Sequence, residues 1–152
     1  MGGGAGLVAA CDMAVARADA SFAFSEVRLG LTPATISPYV VQAIGPRRAR
    51  ALFATGARFD AAYAAEIGLI DEVVEDLEAE RDRIAEVMAA CAPGAVGDAK
   101  KLVDLVHGAR IDRGLLEETA KRIAHARATP EGREGVRAFL ERRKPNWTGE
   151  GS

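Results

Sequence analysis

Two features near the start of the sequence could support chemistry: a run of glycines and a glutamate. Gly2, Gly3 and Gly4 precede the short apolar segment 5–10, which is predicted to be a buried helix. Glycine lets a ligand approach the backbone closely, and the free N–H groups of a helix N-terminus attract negative charge. Glu26 follows an apolar segment and lies in a turn, where a carboxylate can accept and donate a proton. Taken alone, the glycines are also typical of a tight turn, and Glu26 of a solvated loop.

The composition excludes several classes of protein. With 49% hydrophobic residues, 28% charged residues and a net charge of -2, the chain is typical of a globular domain and offers no broadly basic surface for nucleic acid. Cys11 and Cys91 lack the spacing of a zinc site or a disulfide framework, so we expect both in the core of a protein from a reducing, cytoplasmic compartment. No apolar run reaches the roughly 18 residues that a membrane span needs. We therefore expect no metal, no bound cofactor, and neither nucleic acid nor membrane as a partner.

The hydrophobic pattern divides the chain into a first part with strands and a helical second part. In the first part, strands are predicted over 12–16 and 21–24, and helices over 35–44, 47–54 and 61–66. Gly45-Pro46 separates two of these helices, and Asp60 is the predicted N-cap of the third. After residue 75, helices are predicted over 77–90, 95–107 and 113–127, and the last helix starts with Thr129 as N-cap and Pro130 in its first turn.

Five blocks of sequence recur in the order and spacing of one enzyme family. They are GGGAGLVAACD (2–12), ASFAFSEVRLGLTP (20–33), LFATGARFDA (52–61), AEIGLI (65–70) and EGREGVRAFLERRKP (131–145). No single block is decisive, but the ordered set is highly specific. From residue 2 to about 147, the chain resembles the enoyl-CoA hydratase/isomerase (crotonase) family. Within that family, the details are most similar to a bacterial methylglutaconyl-CoA hydratase branch.

The resemblance implies an α/β fold, the C-terminal part of a crotonase (ClpP-like) spiral of stacked β-β-α units. Residues 1–75 would form the last part of the crotonase core, and residues 76–152 a helical region for trimerisation and CoA contact. A full-length member would assemble as a homotrimer or a dimer of trimers. The resemblance also implies a substantial segment before the glycines, carrying most of the core repeats, the first oxyanion-hole loop and part of the CoA pocket. We therefore expect Met1 to lie inside the family's chain.

The resemblance also implies the reaction and its residues. Members react acyl-CoA thioesters through an enolate whose oxygen is stabilised by backbone N–H donors. The implied catalytic residues are Glu26 as acid/base and Gly3 as an oxyanion donor. The residues implied to bind the CoA substrate are Gly2, Gly4, Pro33, Phe139 and Arg142. Coenzyme A arrives with the substrate, so no separate cofactor is expected.

Position 6 departs from many hydratases of the family, which carry a second glutamate there. This chain has Gly6, as the methylglutaconyl-type branch does. One glutamate is compatible with hydration of a 2-enoyl-CoA if the substrate's own carboxylate assists. It equally suits an isomerase, in which a single base moves a proton between carbons. A non-catalytic, truncated remnant is the third alternative.

Overall fold

A computed structural model of the chain describes residues 3–149. Its helices are α1 (Gly3–Ala10), α2 (Ser37–Thr55), α3 (Ala61–Glu66), α4 (Leu77–Ala89), α5 (Pro93–Val106), α6 (Arg113–Ala128) and α7 (Pro130–Glu141). Its strands are β1 (Val15–Arg17), β2 (Ser21–Ala23), β3 (Arg58–Asp60) and β4 (Glu72–Val74), and 3₁₀ helices span Glu26–Leu29 and Asn146–Thr148. The chain divides into two compact units between Arg81 and Asp82, within α4. The sequence places its own boundary earlier, after residue 75.

The four strands form two separate pairs in the first unit. β1 pairs in parallel with β4, and β2 pairs antiparallel with β3. Asp71 closes the first pair just before β4: its carboxylate accepts the N–H of Ala14 at 2.7 Å, and its own N–H donates to the Ala14 carbonyl at 2.7 Å. Both strands predicted from residues 12–24 therefore form, the first of them shifted toward Arg17.

Helix α2 combines the two helices predicted around Gly45-Pro46. Gly45 has φ 76° and ψ 159°, which interrupts the helix where proline removes a backbone donor. Gly56 ends α2 in the left-handed conformation, with φ 54°, and its N–H donates to the Leu52 carbonyl. Because glycine adopts positive φ without a steric penalty, both predicted breaks are found where the sequence puts them.

Side-chain caps mark the starts of α3, α6 and α7. Asp60 accepts the N–H of Tyr63 at 2.8 Å, which confirms the predicted N-cap of α3. Thr129 accepts the N–H of Gly132 at 3.0 Å, which confirms the predicted N-cap of α7. Asp112 caps α6 in the same way, through Leu115 at 3.0 Å. Each cap satisfies a donor that the helix itself leaves without a partner.

The core of the first unit is built around aromatic residues. Phe24 is fully buried, and its ring meets Phe53 edge-on at 5.2 Å between centroids. Phe22 stacks on Phe59 at 5.7 Å. Apolar residues of α1, α2 and α3 complete this core. Among the residues described, no helix has both the length and the apolar character to cross a bilayer.

The two cysteines correct one expectation. Cys11 and Cys91 are free and exposed rather than buried. Each thiol contacts the carbonyl four residues earlier, Leu7 for Cys11 and Val87 for Cys91. The expected core position rests on the lack of zinc or disulfide spacing, but each cysteine lies just after the end of a helix and is exposed to solvent.

Candidate active site

Helix α1 begins at Gly3, two residues earlier than the sequence indicates. The predicted glycine loop before Ala5 is therefore partly wrong, since Gly3 and Gly4 are already helical. Both glycines are exposed, and a Cβ at either would have no neighbour within 4 Å. The first four N–H groups of a helix, here including those of Gly3 and Gly4, have no acceptor within the helix. Gly2 lies outside the described residues.

Gly6 follows one turn later and is buried against the start of α2. A Cβ at position 6 would lie 2.7 Å from the Cβ of Ile36, and closer still to its Cγ2. Distances below 3.0 Å are not found for real Cβ atoms, so glycine is the residue that this packing permits. Nothing in the sequence signals this contact, because Ile36 stands between Thr35 and Ser37 in a segment predicted only as a helix.

Glu26 opens the 3₁₀ helix that follows β2. Its carbonyl accepts the N–H of Leu31 at 3.0 Å, and Gly30 closes the turn with φ 71°. The other side of the turn packs on the end of α2, where the side chains of Val27 and Arg28 lie within 3.4 Å of an added Cβ at Gly56. Glu26 is therefore held by a short, well-packed turn rather than a free loop.

The carboxylate of Glu26 is the unusual group in this unit. The residue is half-buried, and its Oε2 is a buried side-chain oxygen with no hydrogen-bond partner among the described residues. Buried polar atoms are almost always paired, because burying one without a partner costs free energy. An unpaired buried carboxylate oxygen in a packed turn therefore requires an explanation, and a catalytic role is one that accounts for it.

Pro33 lies between this turn and α2, and it is buried. Its carbonyl accepts the N–H of Ser37 at 3.0 Å and so helps to start α2. Leu29 and Leu31 on the same connection are 76% and 60% exposed. The structure therefore gives Pro33 a packing role in a connection that also carries exposed apolar side chains.

Phe139 and Arg142 lie in the second unit. Phe139 is 82% exposed on α7, and Arg142 ends that helix with φ 53°, a left-handed conformation that is rare for a residue other than glycine. Next to it, Arg143 bonds Glu134 through two nitrogens at 2.6 and 3.0 Å, and Glu141 at 2.6 Å. The hydrogen bond from Arg143 lowers the pKa of Glu134, and the hydrogen bonds to Glu134 and Glu141 raise the pKa of Arg143. No pattern in the sequence predicts this network, which fixes the turn that carries Arg142.

A cavity of about 1090 Å³ also lies in the second unit, among α5, α6, α7 and Trp147. Neither Phe139 nor Arg142 lines it. The cavity is therefore no support for the predicted CoA contacts. Within residues 3–149, no group of three or more His, Cys, Asp or Glu side chains could hold a metal ion.

Comparison with known proteins places this fold in one family. The family model for enoyl-CoA hydratase/isomerase matches residues 1–150. A Legionella pneumophila crystal structure assigned to the enoyl-CoA hydratase/isomerase (crotonase) group is 48% identical, with a TM-score of 0.92 over 96% of this chain and 57% of that one. An enoyl-CoA hydratase from Shewanella pealeana is 41% identical, with a TM-score of 0.91 over 95% and 55%.

Among curated proteins, a mevalonyl-coenzyme A hydratase of Aspergillus fumigatus is 33% identical over 159 residues, covering 97% of this chain and 56% of the relative. The chain thus spans a little over half the length of the relatives that it matches. The crotonase fold and the family predicted from the sequence are confirmed, and the chain belongs to the enoyl-CoA hydratase/isomerase family of enzymes.

Proposed function

We propose that the protein adds water to the double bond of a 2-enoyl-CoA, with Glu26 as the acid/base. The observation that carries this proposal is the buried Oε2 of Glu26, which has no hydrogen-bond partner among the described residues. A carboxylate held in a packed turn with a free oxygen can take a proton from water and return it. Membership of a family named for hydration and isomerisation of enoyl-CoA supports a CoA thioester as the proposed substrate class.

In the proposed reaction, a single carboxylate accepts one proton and later donates it. Glu26 takes a proton from water while the water oxygen bonds to the β-carbon of the enoyl group. The electron pair of the double bond forms a new bond between the α-carbon and the thioester carbon, and the carbonyl pair moves onto the thioester oxygen. The resulting enolate collapses as its α-carbon takes the proton back from Glu26. The N–H of Gly3, at the start of α1, is proposed as one donor to the enolate oxygen; losing such a donor typically costs about 2.7–4 kcal/mol of transition-state stabilisation.

The acyl group is proposed to carry a branch and a carboxylate, as in methylglutaconyl-CoA. Gly6 leaves the site without a second glutamate at that position, so a carboxylate on the substrate would take over part of the activation of water. One relative is named as a hydratase of mevalonyl-CoA, whose acyl group is also branched. Phe139 and the turn-held Arg142 are exposed and are proposed to contact the CoA moiety, the arginine through phosphate.

The single carboxylate also supports a second candidate, isomerisation of a 3-enoyl-CoA to the 2-enoyl isomer. There, one base removes a proton from the α-carbon and delivers it to the γ-carbon, and no water is needed. The donors at the start of α1 would serve the same enolate. The two reactions are separated by assaying the same preparation with both substrates.

The test is Glu26→Gln in the whole protein. Glutamine keeps the shape of the side chain but cannot transfer the proton, so kcat should fall about 10²–10⁴-fold while KM changes little. Hydration of methylglutaconyl-CoA and crotonyl-CoA is followed by absorbance, beside isomerisation of a 3-enoyl-CoA. The matched control is Glu72→Gln, an exposed glutamate of β4, which should retain wild-type rates. Wild-type turnover by Glu26→Gln would remove Glu26 from the mechanism, and faster isomerisation than hydration would select the second candidate.

A further inference from the structure

The contact between Gly6 and Ile36 determines which side chains the site can hold, as well as how the helices pack. Gly6 lies three residues after Gly3 in α1, so the two positions share one side of the helix. An added Cβ at position 6 would be 2.7 Å from the Cβ of Ile36 but 3.7 Å from its Cα, an ordinary contact distance. The obstruction is therefore the side chain of Ile36 and not its backbone.

Ile36 cannot easily yield to a larger neighbour. It is 8% exposed, its carbonyl accepts the N–H of the fully buried Val40 at 3.0 Å, and it sits directly before the first turn of α2. A change of rotamer moves the Cγ atoms, but the Cβ position is fixed by the backbone. Any side chain at position 6 thus requires either a shift of α2 or the loss of the Ile36 side chain.

We infer that Ile36 is a specificity-determining residue, which restricts the site to the single carboxylate of Glu26 by filling the space that a position-6 side chain would need. This inference rests on the proposed function of Glu26. Ile36 transfers no proton and binds no substrate; it acts by excluding a second acid/base. A substrate processed by this site must then bring its own carboxylate, or undergo a reaction that needs only one base.

The first test is a stability cycle between positions 6 and 36. Gly6→Ala should lower Tm in the wild-type background, and this loss should disappear with Ile36→Gly, which leaves the Cα at 3.7 Å as the nearest atom of residue 36. Ile36→Ala is the matched control, because it keeps the Cβ at 2.7 Å and should remove only part of the loss. Three outcomes would overturn the inference. Gly6→Ala could leave Tm unchanged, or it could lower Tm equally in all three backgrounds. Every position-6 variant could also fail to fold, whichever residue occupies position 36.

The second test restores the excluded carboxylate in the whole protein. Gly6→Glu/Ile36→Gly should hydrate crotonyl-CoA with a kcat at least about tenfold above that of Gly6→Gln/Ile36→Gly, since only the glutamate transfers a proton. Repulsion between the new glutamate and a substrate carboxylate plays no part in this comparison, because the acyl group of crotonyl-CoA has no carboxylate. Equal kcat values for the two double variants would overturn the inference. If the wild type hydrates no enoyl-CoA at all, the proposed function fails, while the Tm cycle still decides whether Ile36 excludes a side chain at position 6.

Discussion

In the first unit, apolar side chains from α1, α2, α3, β1 and β2 meet in one core, whereas in the second unit Ala138 is the single apolar residue that is buried among those described. Burial of apolar surface is the main favourable contribution to folding, at about 25 cal/mol per Å². The first unit therefore has the means to hold a reactive glutamate in a fixed turn. The second unit must obtain its geometry differently.

Directional polar contacts define the second unit. The carboxylate of Glu131 accepts the N–H groups of Gly94 and Ala95 at 3.1 and 3.2 Å, so α7 caps the start of α5. The indole N–H of Trp147 donates to the Ala90 carbonyl at 3.1 Å. Large apolar residues remain more than half exposed in this unit: Val87, Val103, Ile111, Leu116, Ile123, Val136, Phe139 and Leu140. Caps and hydrogen bonds can thus specify helices and corners where little apolar surface is buried.

Removing a core ring should show the difference between the two units most clearly. Phe24→Ala deletes a fully buried ring in contact with Phe53 and Phe59, and should lower the free energy of unfolding by about 3–5 kcal/mol. Phe139→Ala, the matched change at an 82% exposed ring, should stay within about 0.5 kcal/mol of wild type. Chemical denaturation followed by circular dichroism measures both. A comparable loss for the two variants would mean that the second unit buries Phe139 after all.

Removing a helix cap should cost the same in both units, because a cap acts locally. Asp60→Ala in the first unit and Thr129→Ala in the second should each lower the free energy of unfolding by about 1 kcal/mol. Trp147 is the one tryptophan of the chain and lies in the second unit, so its fluorescence follows that unit during denaturation. Asp60→Asn and Thr129→Ser keep an acceptor and serve as controls. A cost confined to one unit would break the idea that capping is independent of the core.

The sequence predicts the local features well, because their causes lie within a few residues. Asp60 and Thr129 cap the helices that they precede, and Gly45-Pro46 interrupts α2 where expected. The start of α1 is missed because glycine has a low intrinsic helix propensity, which tertiary packing overrides here. Boundaries of this kind depend on what the helix packs against.

The site is predictable in part, and the limits have a physical cause. The position of Glu26 in a turn after a strand follows from local pattern, and the structure finds it there. The steric contact between positions 6 and 36 joins residues far apart in sequence, and the burial of the unpaired Oε2 is a property of the folded chain. A one-dimensional pattern carries no information on such contacts. The roles of Gly3, Phe139 and Arg142 stay predictions.

The ion pair of the second unit should make its stability depend on pH, with the smallest of these effects. The hydrogen bond from Arg143 lowers the pKa of Glu134 below its ordinary value of 4.5, so the folded state binds this proton less readily than the unfolded chain. The stabilisation is therefore complete above pH 4.5 and is lost as the pH falls through the lower pKa of the folded state.

Glu134→Gln keeps an acceptor for the N–H of Asn146 but removes the charge, so Trp147 fluorescence during denaturation should show a flatter loss of stability on acidification. Glu118→Gln, which breaks the more exposed pair with Arg122, is the control and should leave the acid dependence close to that of wild type. Parallel pH curves for wild type and Glu134→Gln would show that this pair contributes nothing to the stability of the second unit.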